Sequence, residues 1–509
     1  MKKNLLTGAI ILTMAGFISN VLAFMYRIFL SNALGAEGMG LYHLVISVYM
    51  LAWSIVCSGF TITISKLTAQ ENAKGQNGNA LKILSQSITI TLSLGAVIAL
   101  VIYFLADIIA TNFFQEARIV MSLRILAIAI PFMAIASCVK GYIYGLQNML
   151  IPAISQVLEN IIKIAIVILI INNFTYMSIT QATAVAVLGI VAQEIFSFIF
   201  LFATIKRKLK RESTIGIHFL TKRAILYLIL PMALPLTLNH IIGSLLFTLE
   251  SALIPQRLQS AGLSATDAIG IFGQLMGMAI PLIYFPTSFL TSLSITLVPV
   301  VSETSAIGND TKLNHTFSKS ILIASLIGHG VAGSLMAFSW EFGMVVYNQD
   351  ISSILFILGI VCPLLYMRIV LSGILNGMGF QTFIFQNSLL SSAIIIGSIY
   401  FIMPYMGVYA YIFGWFLSLL TVYALELIKL REHTNLRFEF LNWFAIPTLA
   451  VAAAGLIARL IANQLPIIES GSVLGLILSV LLLAILYMVF IIATGLISIS
   501  DIKKSFIAT

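Results

Sequence analysis

The residues of this sequence that could carry chemistry are a few ionisable side chains inside long apolar segments. They are Arg27, Glu159, Lys163, Glu194, Glu250 and Arg368. A charged side chain at the centre of a bilayer costs about 2.5 to 3.5 kcal/mol on insertion scales, so each needs a partner, water or a ligand. Their positions predict either a polar cavity inside a membrane protein or ion pairs that only allow helices to insert.

Glu159 and Lys163 are four residues apart and share one face of a predicted helix, with the acid nearer the N-terminus. This order favours a direct interaction between the two side chains. We expect them either to neutralise each other or to line a cavity. Gln156 and Asn160 lie in the same stretch and are secondary candidates for the cavity wall.

Arg27 and Arg368 allow two interpretations each. Arg27 lies about 33 Å along the helix axis from Leu5, so it either extends to the outer interface or faces the interior of the protein. In the interior, its guanidinium could bind two oxygens of a pyrophosphate, with Glu250 as its expected partner. Arg368 has one polar neighbour, Asn376, and could line a cavity or pair with another helix.

Two further carboxylates are expected to be structural. Glu194 lies beside Gln193 and is predicted to form a hydrogen bond between helices, although it remains a secondary candidate for a cavity. Glu426 lies one turn from Lys429, and we expect these two to form an ion pair at the membrane interface.

The elements that position these groups are membrane helices. The chain is 60% apolar and 9% charged, with a mean hydropathy of +1.07, which is outside the range of soluble domains. We predict an all-α polytopic membrane protein with about fourteen transmembrane helices, including 5–31, 41–65 and 268–299. The first segment is too long for a signal peptide and is read as a membrane helix. The three cysteines are widely spaced and predict neither a disulfide framework nor a metal site.

The basic residues predict the topology. Most of the 27 Lys and Arg residues fall on one side of the membrane if both termini are cytoplasmic. The net charge of +9 therefore reflects topology in a cytoplasmic membrane, with attraction to anionic lipids as a secondary effect, and does not imply nucleic-acid binding. We predict an N-lobe of six helices (1–205), a basic linker (206–223), a C-lobe of six helices (224–430) and a C-terminal helix pair (431–509).

An internal repeat supports two pseudo-symmetric lobes. ILAIAIPFMAIASCVKGYIYG at 125–145 resembles ILGIVCPLLYMRIVLSGILNG at 357–377, and GFTITISKLTAQ at 59–70 resembles SLSITLVPVVSE at 292–303. The first match aligns three pairs, each 232 residues apart: Pro131 with Pro363, Gly141 with Gly373 and Gly145 with Gly377. Six helices per copy would give both lobes the same orientation and a cavity between them. The paired glycines could either allow close helix approach or loosen the backbone.

The motifs YRIFLSNALGAEGMGLY at 26–42, GFTITISKLTAQ at 59–70 and PVVSE at 299–303 resemble the stage V sporulation protein B and polysaccharide-exporter family. This family lies in the multidrug/oligosaccharidyl-lipid/polysaccharide (MOP) flippase superfamily. The resemblance implies a transporter that moves a lipid-linked saccharide, such as the peptidoglycan precursor lipid II, to the outer leaflet by alternating access. Related lipid II flippases carry arginines where this chain has Asn20 and Tyr26, so Asn20 is a further cavity candidate.

Other functions make different demands on the sequence. An enzyme would need acidic residues in a sizeable outer loop, but the predicted outer loops are short, and GxxxxGK[ST], HExxH and nucleophile-elbow motifs are missing. We therefore predict no enzyme activity, no cofactor and no bound metal. A cation-coupled multidrug exporter could bind Na⁺ or H⁺ at Glu159, Glu194 or Glu250. A non-transporting scaffold that recruits cell-wall synthesis proteins is the third alternative.

Overall fold

The computed structural model describes residues 2–174, 176–211, 220–307, 310–434, 437–464 and 472–496. These residues are almost entirely helical, and no β-strand occurs among them. The helices in chain order are α1 Lys2–Val56, α2 Ser58–Ala73, α3 Asn77–Phe104, α4 Val120–Gly145, α5 Leu150–Asn173, α6 Ile179–Arg211, α7 Lys222–Ser260, α8 Ala265–Tyr284, α9 Thr287–Ile307, α10 Asp310–Ala337, α11 Ser352–Gly359, α12 Cys362–Gly377, α13 Gln381–Phe401, α14 Tyr409–His433, α15 Leu441–Ala462 and α16 Val473–Ala493.

The number of membrane-spanning helices agrees with the sequence. Within the described ranges, 13 helices are long and apolar enough to cross a membrane, or up to 14 if the bent pair α11 and α12 forms one span. The two helices of that pair meet at an angle of 50°. The predicted all-α membrane fold with about fourteen spans is therefore confirmed.

The predicted helices 5–31 and 41–65 are not separated by a loop. The first is part of α1, and the second joins the end of α1 to the start of α2; α1 has 55 residues and is interrupted at Gly35. The Gly35 backbone has φ 67° and ψ −175°, a conformation that glycine adopts without the steric penalty of a Cβ atom. An unbroken helix of this length would extend over about 80 Å, whereas the hydrocarbon layer is about 30 Å thick. The single glycine therefore allows two spans.

The predicted helix 268–299 is wrong as a single element. The chain forms α8 and α9 instead, which are separated by Phe285 and Pro286. Pro286 has no backbone N–H with which to continue the helical hydrogen bonds, and its ring disfavours a helical conformation at the preceding residue. Hydropathy alone does not detect this break, because the segment is apolar on both sides of the proline.

The described chain falls into two compact units, Met1–Gln259 with Leu263–Gly273 and Ser260–Gly262 with Gln274–Thr509. Helix α7 thus packs in the first unit, although the sequence assigns it to the C-lobe. A Cβ on Gly59 of α2 would collide with the carbonyl oxygen of Ala233 in α7. Thr248 of α7 donates a hydrogen bond to the carbonyl oxygen of Ser47 at 3.1 Å. The predicted domain bounds stay a prediction.

Both units contain the same close helix contact. A Cβ on Gly141 of α4 would lie 2.6 Å from the carbonyl oxygen of Thr61, and a Cβ on Gly373 of α12 would lie 2.6 Å from the carbonyl oxygen of Ser294. The next pair repeats this packing, because Gly145 lies against Ser65 and Gly377 against Val298. The contacts follow the offsets of 232 and 233 residues seen in the sequence. Of the two interpretations of these glycines, close approach is therefore correct.

The turns after α3 and α10 are repeated as well. Each contains a five-residue π-helix, Ile109–Phe113 in the first unit and Phe342–Val346 in the second. Each then has a residue with positive φ, namely Gln115 at 56° and Asn348 at 52°. A positive φ is uncommon for residues other than glycine. Its recurrence 233 residues later therefore supports duplication of the chain.

Candidate functional site

Glu159 of α5 is the centre of the polar interior of the first unit. Its buried carboxylate accepts hydrogen bonds from Lys140 Nζ of α4, at 2.9 Å to Oε1 and 3.0 Å to Oε2. The Ser155 hydroxyl, one turn earlier on α5, donates to Oε1 at 2.5 Å. A buried carboxylate without such partners would be strongly destabilising, so Lys140 and Ser155 make this position possible.

Lys163 does not have the ion-pair partner that its sequence position predicts. The i, i+4 spacing predicts an ion pair with Glu159, but Glu159 pairs with Lys140 and Lys163 donates to Asn160 Oδ1 at 3.0 Å. The Lys163 ammonium also lies 5.3 Å from the ring centroid of Tyr26, within cation–π range. The prediction of a direct Glu159–Lys163 pair is therefore wrong, because a partner on another helix is available.

Glu194 of α6 connects this region to α1. Its carboxylate accepts a hydrogen bond from the Tyr49 hydroxyl at 2.8 Å and a weaker one from Gln193 at 3.4 Å. Glu194 is buried and interacts electrostatically with Lys140 and Lys163. The expected hydrogen bond between helices is therefore present, and the same residue also belongs to a larger charged network.

Arg27 completes this network from α1. Its side chain is half-buried and lies close enough to Lys163 for the two cations to repel each other, and it also interacts electrostatically with the buried Tyr42 and His43. We call the group of side chains that these interactions join the ionic cluster, and define it as Arg27, Tyr49, Lys140, Glu159, Lys163 and Glu194. By this definition it contains three cations and two carboxylates, drawn from α1, α4, α5 and α6.

The remaining candidates of the first unit lie in different environments. Asn20 is exposed on α1, and Gln156 is half-buried on α5, where its carbonyl oxygen accepts a hydrogen bond from Asn160. Glu250 is buried on α7. The predicted contact between Arg27 and Glu250, and the roles of all these residues in binding, stay predictions.

In the second unit, Arg368 is half-buried on α12 and interacts electrostatically with Glu426 of α14. Glu426 is completely buried, and Lys429 forms its ion pair with Glu432, at 3.1 Å. The predicted Glu426–Lys429 pair is therefore wrong: the Glu426 side chain turns into the protein while Lys429 bonds along the helix surface. The electrostatic partner of Glu426 is again on another helix.

Sequence reasoning overlooked Lys140 and Tyr49. Lys140 lies near the end of the apolar repeat stretch 125–145, and it is one of the basic residues that the predicted topology places on the cytoplasmic side. The signal was present, because a lysine inside a predicted span raises the same question as Lys163. Tyr49 gives no such signal, since tyrosine is common in apolar helices. Among the described residues, no group of three or more His, Cys, Asp or Glu side chains is arranged to hold a metal.

The candidate spans define a multi-pass membrane protein with ionisable side chains buried among its helices. A family model described as polysaccharide biosynthesis protein matches residues 5–305, more than half of the chain. The chain belongs to this family. It is 29% identical to stage V sporulation protein B of Bacillus subtilis over 406 residues, covering 78% of each protein.

Two comparisons concern lipid II flippases. The chain is 25% identical to lipid II flippase MurJ of Bacillus subtilis over 349 residues, covering 63% of this chain and 62% of the relative. A solved structure of lipid II flippase MurJ in an inward closed conformation has the same fold, with a TM-score of 0.72 and 13% identity over 95% of this chain and 98% of that chain. These relatives and the candidate spans identify a multi-pass bacterial membrane protein.

Proposed function

We propose that this protein is a flippase that moves a lipid-linked saccharide with a diphosphate headgroup from the inner to the outer leaflet. The observation that carries this proposal is the ionic cluster, in which three cations face two carboxylates inside a helical membrane protein. A surplus cation buried among helices is costly unless it serves a ligand or a solvated path. An anionic headgroup would supply the missing negative charge.

The headgroup chemistry fits the individual side chains. The Arg27 guanidinium offers several N–H donors in a fixed plane, which suits two oxygens of a diphosphate. Among the described residues, Lys163 donates a hydrogen bond to the neutral Asn160 and lies beside the Tyr26 ring. Both cations therefore lack a direct carboxylate partner within the cluster and can bind phosphate oxygens.

The family and its relatives support the same substrate class. The family is described by polysaccharide biosynthesis, and one relative is named a lipid II flippase. In the mechanism we propose, the saccharide and diphosphate enter a polar cavity while the lipid tail stays in the bilayer, and the protein alternates between inward and outward access. The chain performs no bond-breaking step in this mechanism.

The cation-coupled multidrug exporter is the weaker proposal. It would need Glu159, Glu194 or Glu250 to accept Na⁺ or H⁺. In this structure Glu159 is already bonded by Lys140 and Ser155, and Glu194 by Tyr49. A cationic drug would also meet the surplus positive charge of the ionic cluster.

The test is transport by proteoliposomes that contain the purified protein. The substrates are a fluorescent lipid-linked diphosphate saccharide and a fluorescent lipophilic cation, each assayed by quenching from outside. We expect the wild type to flip the first and not to move the second. Loss of one charge-assisted hydrogen bond costs about 1.5 to 3 kcal/mol. Arg27→Gln and Lys163→Gln should therefore each slow flipping by about tenfold or more.

Two matched variants act as controls. Arg431→Gln removes an exposed arginine at the end of α14, and Lys74→Gln removes an exposed lysine that pairs with Glu71. Both should flip the substrate at the wild-type rate. Movement of the cation without flipping of the diphosphate lipid would overturn the proposed substrate class. Wild-type flipping by Arg27→Gln and Lys163→Gln would remove the cluster from the mechanism.

A further inference from the structure

Lys140 has an unusual position for a lysine in a membrane helix. Its ammonium bonds both oxygens of Glu159 and also interacts electrostatically with Glu194. About a quarter of the Lys140 side chain remains exposed, whereas Glu159 is almost entirely buried. The lysine of this pair can therefore reach solvent or a ligand, while the carboxylate stays inside.

The Glu159 carboxylate does not depend on Lys140 alone. The Ser155 hydroxyl donates to Oε1 at 2.5 Å, from one turn away on the same helix. If the Lys140 ammonium moved away, Glu159 would keep this donor and its place on α5. The environment is thus asymmetric: the carboxylate has a hydroxyl donor on its own helix, whereas the ammonium has, among the interactions described, an electrostatic one with Tyr144 on its own helix.

Charge balance shows why the ammonium would need to move. A bound diphosphate carries at least two negative charges and would lie close to Arg27 and Lys163. Glu159 and Glu194 would oppose it, since like charges in a poorly screened interior repel strongly. Arg27 and Lys163 supply two positive charges against the four negative charges of the two carboxylates and the diphosphate. A contact with Lys140 would bring the third cation of the cluster to the phosphates and reduce this excess of negative charge to one.

We propose that Lys140 is a transferable cation, bound to Glu159 in the empty protein and to a phosphate oxygen of the diphosphate in the occupied one. This inference rests on the proposed function and adds to it a residue that sets specificity for two phosphates over one. The Glu159–Lys140 pair then competes with the substrate for the same ammonium. Removing the negative charge of Glu159 should consequently strengthen substrate binding through the released ammonium, an effect that depends on the presence of Lys140.

The experiment measures the affinity of the full-length protein in nanodiscs for farnesyl diphosphate and for farnesyl monophosphate. We expect Glu159→Gln to bind the diphosphate about tenfold more tightly than the wild type, and Lys140→Gln about tenfold more weakly, with each tenfold change corresponding to ~1.4 kcal/mol. Lys140→Gln should also lose most of the preference for two phosphates. The double variant should stay close to Lys140→Gln, because without the Lys140 ammonium the loss of Glu159 releases no cation and relieves only its direct repulsion of the diphosphate.

A second variant and a control keep the test decisive. If Glu159→Gln does not fold, Ser155→Ala is measured instead. Without the Ser155 hydroxyl, Glu159 depends more on Lys140, so the affinity for the diphosphate should fall about threefold. A fixed Lys140–Glu159 pair predicts no change in affinity. The control is Glu432→Gln, which breaks the ion pair of Glu432 with Lys429 on α14 and should leave affinity unchanged.

The outcomes separate this inference from the proposed function. A wild type that does not bind farnesyl diphosphate, or does not prefer it to the monophosphate, contradicts the proposed function itself. A wild type that binds and prefers it, together with a folded Glu159→Gln of equal or lower affinity, contradicts only the transfer of Lys140. Recovery of wild-type affinity in the double variant would also contradict it, since this would indicate a structural pair.

Discussion

Replacing Gly141 with alanine places a methyl group where α2 leaves no room for one. The new Cβ would lie 2.6 Å from the carbonyl oxygen of Thr61, 3.2 Å from its Cα and 3.3 Å from Cβ of Ile64. Ordinary contacts begin at 3.4 Å, so α2 and α4 would have to separate by nearly 1 Å. Overpacking of this kind costs about 1 to 3 kcal/mol, while the better helix propensity of alanine returns at most ~1 kcal/mol.

We therefore expect Gly141→Ala to lower the free energy of unfolding by about 1 to 2 kcal/mol. The midpoint of thermal unfolding should fall by about 2 to 4 °C for each kcal/mol in a unit of this size. The assay is tryptophan fluorescence of the detergent-solubilised protein during heating. Gly373→Ala should give a similar loss, because its Cβ would meet the Ser294 carbonyl oxygen at the same 2.6 Å.

Gly397 of α13 provides the matched control. A Cβ at this helical position would meet no atom within 4 Å, so Gly397→Ala should leave the midpoint unchanged or raise it slightly. If Gly141→Ala and Gly373→Ala behaved like this control, the close packing of these helices, and with it the structural equivalence of the two copies, would be refuted.

Three further predictions concern contacts that fix individual segments. Arg118 binds Glu37 and Glu116, and Arg118→Gln should lower unfolding stability by about 1 to 3 kcal/mol, an effect that unchanged melting would contradict. His329 Nε2 of α10 lies 3.0 Å from the Thr448 hydroxyl of α15. His329→Leu and Thr448→Val should each lower the free energy of unfolding by about 1 kcal/mol. A double variant whose loss equals the sum of the two single losses would rule out their interaction. Asn79 accepts a hydrogen bond from the Leu220 N–H at 3.3 Å, so Asn79→Ala should speed hydrogen exchange there, and unaltered exchange would show that this contact does not hold the start of α7.

The sequence predicts most of the fold because hydropathy and repetition are local signals. Apolar segments of sufficient length identify the spans, and the match between 125–145 and 357–377 identifies the duplication without any coordinates. The breaks are harder to predict. Gly35 interrupts α1 through its φ of 67°, and nothing in a hydropathy profile distinguishes one such glycine from those that pack inside helices.

The packing of α7 was also beyond sequence reasoning. Repeat symmetry assigns this helix to the second copy, yet hydrogen bonds such as Ser244 to Ser54, at 2.5 Å, place it in the first unit. Interactions between small polar residues far apart in sequence leave no periodic pattern. They depend on the tertiary arrangement, so only coordinates show them.

The sequence was sufficient to locate the candidate site but not to predict which of its side chains interact. Buried charge is rare enough that Arg27, Glu159, Lys163 and Glu194 were identified by type alone. Their partners were not, because the spacing rule for helices considers only one helix at a time. Glu159 has a possible partner four residues away in Lys163, and pairs instead with Lys140 on the neighbouring helix.

The central claim is that the ionic cluster binds the diphosphate of a lipid-linked saccharide. Its most direct test is a cryo-EM structure of the full-length protein with such a lipid bound. We predict density for both phosphates within about 4 Å of the side-chain nitrogens of Arg27, Lys140 or Lys163, the range of direct charge pairs. Phosphates bound away from all three side chains, with the Lys140–Glu159 pair intact, would contradict the claim.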